Sequence, residues 1–182
     1  NPNSEHNNNI IAIKNNDNWK HVQSIDNSAY LPMEITFTGN NTAWVAFEKY
    51  NEYSRGGIQM LSYGSLNDET DDIWNELDNP EDLPGGEGKS VWSVASTTIE
   101  DSTILWVLTS YGVQGYILNG RELIPIYPID FYPNIAFTKG DKLRVDPQNN
   151  IWIITQHSGI RIIKSNTTFW PNIEGLSKSE MG

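Results

Sequence analysis

Apolar residues along this chain alternate with polar ones in short runs, and the runs stop at Asn, Gly, Asp or Pro. Two-residue alternation places successive side chains on opposite faces of a strand, and no stretch repeats at helical spacing. Three segments superpose: EITFTGNNTAWVAF at 34–47, VWSVASTTIEDSTILWVLTS at 91–110 and KLRVDPQNNIWIITQ at 142–156. Each predicts a strand, a polar turn and a second strand carrying a tryptophan: Trp44, Trp106 and Trp152. The expected turns are Asn40–Asn41, Glu100–Thr103 and Asn149–Asn150; Asn tolerates the left-handed backbone of tight hairpins. A glycine then opens a third alternating run, GIQMLS from Gly57, GVQGYIL from Gly112 and GIRIIK from Gly159. The opening run NIIAIK at 9–14 matches GIRIIK with Asn9 in place of the Gly, so the chain is expected to start in mid-repeat. Trp19, Trp74 and Trp170 follow third runs and predict a fourth strand, and ELIPIYP takes that place after GVQGYIL.

Trp44 and Trp106 are 62 residues apart, and Trp106 and Trp152 are 46 apart. The second falls within the roughly 40–50 residues of a propeller blade, and the first exceeds it. The insertion EKYNEYSRG and the acidic stretch NDETDD lengthen the first interval. Four short antiparallel strands per repeat predict an all-β fold: a β-propeller fragment of about three and a half four-stranded blades, with a sandwich as the alternative. The expected divisions are 1–32, the third and fourth strands of one blade plus a linker, then blades at 33–84, 85–133 and 134–182. The short stretches YLP at 30–32, DLP at 82–84 and GLS at 175–177 recur as linkers.

Seven Trp and eight Tyr supply the aromatic mass of a folded chain. Twelve Lys and Arg against 23 Asp and Glu leave a formal charge of −11. With no basic stripe in the sequence, nucleic acid is not an expected partner. The absence of cysteine removes disulfides, thiolate metal sites and a Cys nucleophile. The longest apolar runs, such as ILWVL at 104–108, are too short to span a bilayer as a helix.

The stretch RVDPQNNIWIITQHSGIRII, followed by FWPNIEGLS, resembles the repeat of bacterial two-component-regulator propellers, through Asp146, Trp152, Thr155, Gly159 and Leu176. Departures from that pattern are Asn149 at the turn, Ile154 at a position expected to be small, and Thr38 and Phe47 in the first repeat. The resemblance implies an extracytoplasmic, non-catalytic sensing region of a hybrid histidine kinase, periplasmic or at the cell surface, recognising glycan fragments. A surface or secretion-system-associated scaffold propeller is the alternative it implies, and neither version calls for a cofactor. Part of a carbohydrate-active lyase or glycosidase is the enzymatic alternative.

In such a fold the second-to-third-strand loops gather on one face. Here they carry Tyr50, Tyr53 and Arg55, then Tyr111 with Ser110, then Gln156, His157 and Ser158. Aromatic faces stack on sugars or apolar groups while Arg, Gln and His donate directional hydrogen bonds, which suits an oligosaccharide or peptide ligand. The plainer reading is that these are ordinary solvated loop residues. Other expected partners are the remaining blades of a parent chain. The acidic stretches NDETDD at 67–72 and DNPED at 78–82 lack calcium-loop spacing and read as solvated connections, so no metal is expected. No G-x-S-x-G or H-E-x-x-H motif is present, and His6, His21 and His157 share none.

Overall fold

A computed structural model of the chain describes residues 9–15, 18–23, 31–39, 41–49, 56–65, 68, 70–75, 83, 89–99, 101–126, 137–164 and 173–176. Among the described residues there are only strands and turns, with no helix. The strands β1 (Asn9–Asn15) and β2 (Asn18–Gln23) form an antiparallel ribbon. Three four-stranded meanders follow, each with its strands side by side in chain order. Sheet 2 holds β3 (Leu31–Thr38), β4 (Thr42–Glu48), β5 (Gly57–Tyr63) and β6 (Asp72–Asn75). Sheet 3 holds β7 (Val91–Ile99), β8 (Ser102–Thr109), β9 (Gly112–Asn119) and β10 (Glu122–Ile126). Sheet 4 holds β11 (Lys142–Val145), β12 (Ile151–Thr155), β13 (Gly159–Ile163) and β14 (Ile173–Leu176).

The turns follow from their residues. Asn41 and Asn149 hold φ of 55° and 61°, in the left-handed region that their short polar side chains tolerate. Third strands open at Gly57, Gly112 and Gly159 with φ of 112°, 150° and 84°, where a Cβ would strain the backbone. Those glycines pair with Phe47, Thr109 and Thr155, closing the second-to-third connections at the same register in all three sheets.

Some boundaries differ from the sequence expectation. Ser102 and Thr103 belong to β8, because the hairpin is tight and closes at Ile99–Ser102. Leu31 and Pro32, expected in a linker, start β3 opposite Glu48 and Phe47; Pro is tolerated at a strand start, where its missing N–H costs no ladder bond. Gly175 and Leu176, also expected in a linker, lie in β14 opposite Arg161 and Ile160, since extended chain beside a strand keeps pairing with it. Trp19 lies in β2 and is 57% exposed, and Trp74 lies half-buried in β6. Trp170 is outside the described residues.

Two apolar layers join the sheets. Trp44, Ala46, Ile58 and Met60 of sheet 2 pack with Val94, Leu105, Val107 and Tyr116 of sheet 3. Trp106, Leu108 and Val113 of sheet 3 pack with Leu143, Ile151, Ile153 and Ile163 of sheet 4. The second-strand tryptophan thus faces the following sheet at both junctions. The sheets approach most closely along their first strands, where β3 and β4 meet β7, and β7 and β8 meet β11.

Candidate ligand-binding face

Each second-strand indole is tied to the end of its sheet's first strand or, in sheet 4, to the residue that follows it. Trp44 Nε1 donates to Thr38 Oγ1 at 3.1 Å, Trp106 Nε1 to Thr97 Oγ1 at 2.9 Å and Trp152 Nε1 to Asp146 Oδ2 at 2.9 Å. Thr38 and Asp146 therefore do the same work, an acceptor being all the position needs. Asp146 does more, taking the backbone N–H groups of Gln148 and Asn150 at 2.9 Å each and the Asn150 side-chain amide at 2.8 Å. The Trp152 indole, and then these amide donors, lower its pKa to about 2.

The opposite end of the sheets carries the second-to-third turns. Tyr50, Tyr53 and Arg55 lie outside the described residues. Tyr111 stands 63% exposed at the tip of the two-residue turn between β8 and β9, with Lys89 Nζ 5.7 Å from its ring centroid. Its backbone N–H donates to Thr109 Oγ1 at 3.1 Å, which fixes the turn while leaving the ring displayed. Gln156 and His157 are exposed on the corresponding turn of sheet 4. The backbone N–H of Gln156 donates at 2.8 Å to buried Asp141, which also takes the Thr138 N–H at 2.7 Å. The Ser158 N–H donates to Thr155 Oγ1, whose hydroxyl donates onward to the Gly159 carbonyl at 2.6 Å. The two described turns at this end are thus held by hydrogen bonds while their tip side chains stay exposed.

A second group at this end was not singled out from the sequence. Glu34 of β3 accepts hydrogen bonds from Ser93 of β7 and Arg144 of β11, and Lys142 Nζ stands 3.9 Å from its carboxylate. Ser93 Oγ also accepts the Leu143 N–H at 2.9 Å, and Lys142 donates to the Trp92 carbonyl at 3.2 Å. Trp92, the one tryptophan outside the two repeat positions, sits at a β-bulge between Val91 and Ser93. Nearby, Glu48 pairs with Lys139, and Ser90 bonds both backbone groups of Lys49. The signal was available: Glu34, Ser93 and Lys142 each stand four residues before Thr38, Thr97 and Asp146, so one polar residue recurs at one repeat position. What alignment could not give is that three sheets bring these residues together.

Among the described residues no cluster of His, Asp and Glu has the makings of a metal site. Among them, too, no helix is long and apolar enough to cross a membrane.

No protein-family model and no curated protein matches this chain. Among solved structures, the chain is similar in fold to PorZ. That protein is described as an essential bacterial surface component of the type-IX secretion system of Porphyromonas gingivalis of the human oral microbiome. The superposition has a TM-score of 0.53 at 14% identity and covers 88% of this chain but 22% of PorZ. The chain thus spans about a fifth of that protein's length. The likeness is one of fold.

Proposed function

We propose that this chain is a stretch of about three and a half blades of a β-propeller, serving at a bacterial cell surface as a non-catalytic recognition and assembly module of the secretion-associated kind. The convergence of first strands supports the propeller: Glu34 of sheet 2 reaches Arg144 of sheet 4 past sheet 3, as radial blades permit at their inner edge. The fold likeness to a secretion-system surface component supports the setting.

One observation carries the recognition role: exposed Tyr111, Gln156 and His157 stand on hydrogen-bonded turns at one end of the stacked sheets. An exposed aromatic ring on one turn and hydrogen-bonding side chains on the corresponding turn of the next sheet suit an oligosaccharide or a peptide. Titration with panels of soluble oligosaccharides and peptides, followed by NMR, tests this. Shifts should begin at 110–112 and 156–158, and Tyr111→Ala should weaken binding while leaving the fold intact. Shifts confined to the Asn41 and Asn149 turns, or full affinity in a Tyr111→Ala, His157→Ala double variant, would refute the assignment.

The sensor reading remains a second proposal because of one feature, the Asp146–Trp152 hairpin with Thr155 and Gly159, which resembles two-component-regulator repeats. Kinase sequence on the same polypeptide would favour it, and a sorting or scaffold domain would favour the first reading. Both dispense with catalysis by this segment, in keeping with the engagement of Glu34 by Arg144 and of Glu48 by Lys139.

A further inference from the structure

Glu34, Ser93 and Lys142 share one repeat position on three first strands, and Arg144 follows Lys142 by two residues, on the same face of β11. The bonds among them form a hierarchy. Ser93, fully buried in β7, donates to Glu34 and accepts the Leu143 N–H, so the carboxylate is held by a group that is itself fixed. Glu34 in turn accepts from Arg144 Nη1, which also donates to the Leu143 carbonyl at 2.6 Å. One guanidinium nitrogen thus does all the anchoring.

Among the described residues Arg144 Nε and Nη2 have no hydrogen-bond partner, and more than half of the side chain is exposed. Lys142 Nζ donates to the Trp92 carbonyl at 3.2 Å and lies 3.9 Å from Glu34, which leaves it with N–H groups to spare. The Nε–Nη2 edge of a guanidinium presents two parallel N–H groups, at the spacing that lets a carboxylate or a phosphate accept both. Two cations set on one carboxylate also leave one positive charge in excess, in a chain whose formal charge is −11. A fork already fixed before its ligand arrives is spared much of the ordering cost of binding.

We propose that Arg144 and Lys142, held in place by Glu34 and Ser93, form a binding site for a small oxyanion, the carboxylate or phosphate group of a ligand that enters between the first strands. The oxyanion takes the Nε–Nη2 edge of Arg144 in bidentate fashion, with the Lys142 ammonium as its second counter-charge. The site is separate from Tyr111 and does not depend on recognition there.

The test titrates the 182-residue chain at low ionic strength with inorganic phosphate and, separately, with acetate, following the amide signals of residues 92–94 and 142–145 by NMR. Sodium chloride at matched ionic strength is the reference, since general screening would act through any salt. Saturable shifts at those amides are expected, and the anion that binds more tightly names the group recognised. Arg144→Lys keeps the charge and loses the fork, so it should bind about tenfold or more weakly, the scale of one lost hydrogen bond to a charged group. Lys142→Ala should also weaken binding. Tyr111→Ala, and Arg121→Ala in the exposed turn between β9 and β10, should leave it unchanged. Absence of saturable shifts with both anions, equal shifts with chloride, undiminished affinity in Arg144→Lys or an equal loss in Arg121→Ala would overturn the proposal. Should Arg144→Lys disturb the fold, the comparison of Lys142→Ala with Arg121→Ala decides.

Discussion

The three repeat tryptophans occupy one position yet carry different energetic weight. Trp44 is fully buried and Trp106 is 3% exposed, each between two sheets, whereas Trp152 is half-buried on the outer face of sheet 4. Trp106→Ala should therefore cost about 3–5 kcal/mol in denaturant melts, and Trp152→Ala clearly less, since fewer apolar contacts are lost. Asp146 makes a separate prediction. Its folded pKa of about 2 lies below the ordinary 3.8, so the stability it contributes is complete above about pH 4 and is lost as pH falls toward 2. Melts of the wild type and Asp146→Asn should differ most above pH 4 and draw together by pH 2.

At the scale of the element, what the alternation left open was fixed by close approach of backbone and ring. A Cβ on Gly115 of β9 would lie 3.0 Å from the Trp106 ring of β8, and the indole is held there by Thr97. Gly115→Ala should destabilise by about 1–3 kcal/mol, the cost of overpacking, and near-ultraviolet dichroism should report a displaced indole. The third-strand glycines were legible because a Gly before a β-branched run marks a backbone turn. The exact starts of β3 and β14 were not, because Pro32 and Gly175 read as loop residues while the ladder continued through them. Pro125 is a comparable case, lying in β10 opposite Tyr116 near the outer edge of sheet 3, where a missing N–H discourages further strand pairing.

Across the whole molecule, the three sheets are tied at their first strands by one carboxylate. Glu34 is 15% exposed, accepts from Ser93 and Arg144 and faces the Lys142 ammonium at 3.9 Å, whereas Arg144 is 53% exposed. Glu34→Ala should cost about 1–3 kcal/mol because a buried hydroxyl loses its acceptor and a shielded ammonium loses its counter-charge. Arg144→Ala should cost less than about 1 kcal/mol, and that loss should shrink in high salt. Thermal melts of both variants at two ionic strengths would check the ordering. The sequence by itself determined the all-β class, the four-strand repeat, its tryptophan positions and its turns, because period-two alternation and the φ preferences of Gly and Asn act between near neighbours in the chain. It also placed Tyr111, Gln156 and His157 in loops. Only the tertiary structure decided that Glu34 meets Arg144 across 110 positions and that Trp152 is less buried than its counterparts. Those outcomes depend on which sheet stands next to which, and burial belongs to the neighbours a residue acquires in space.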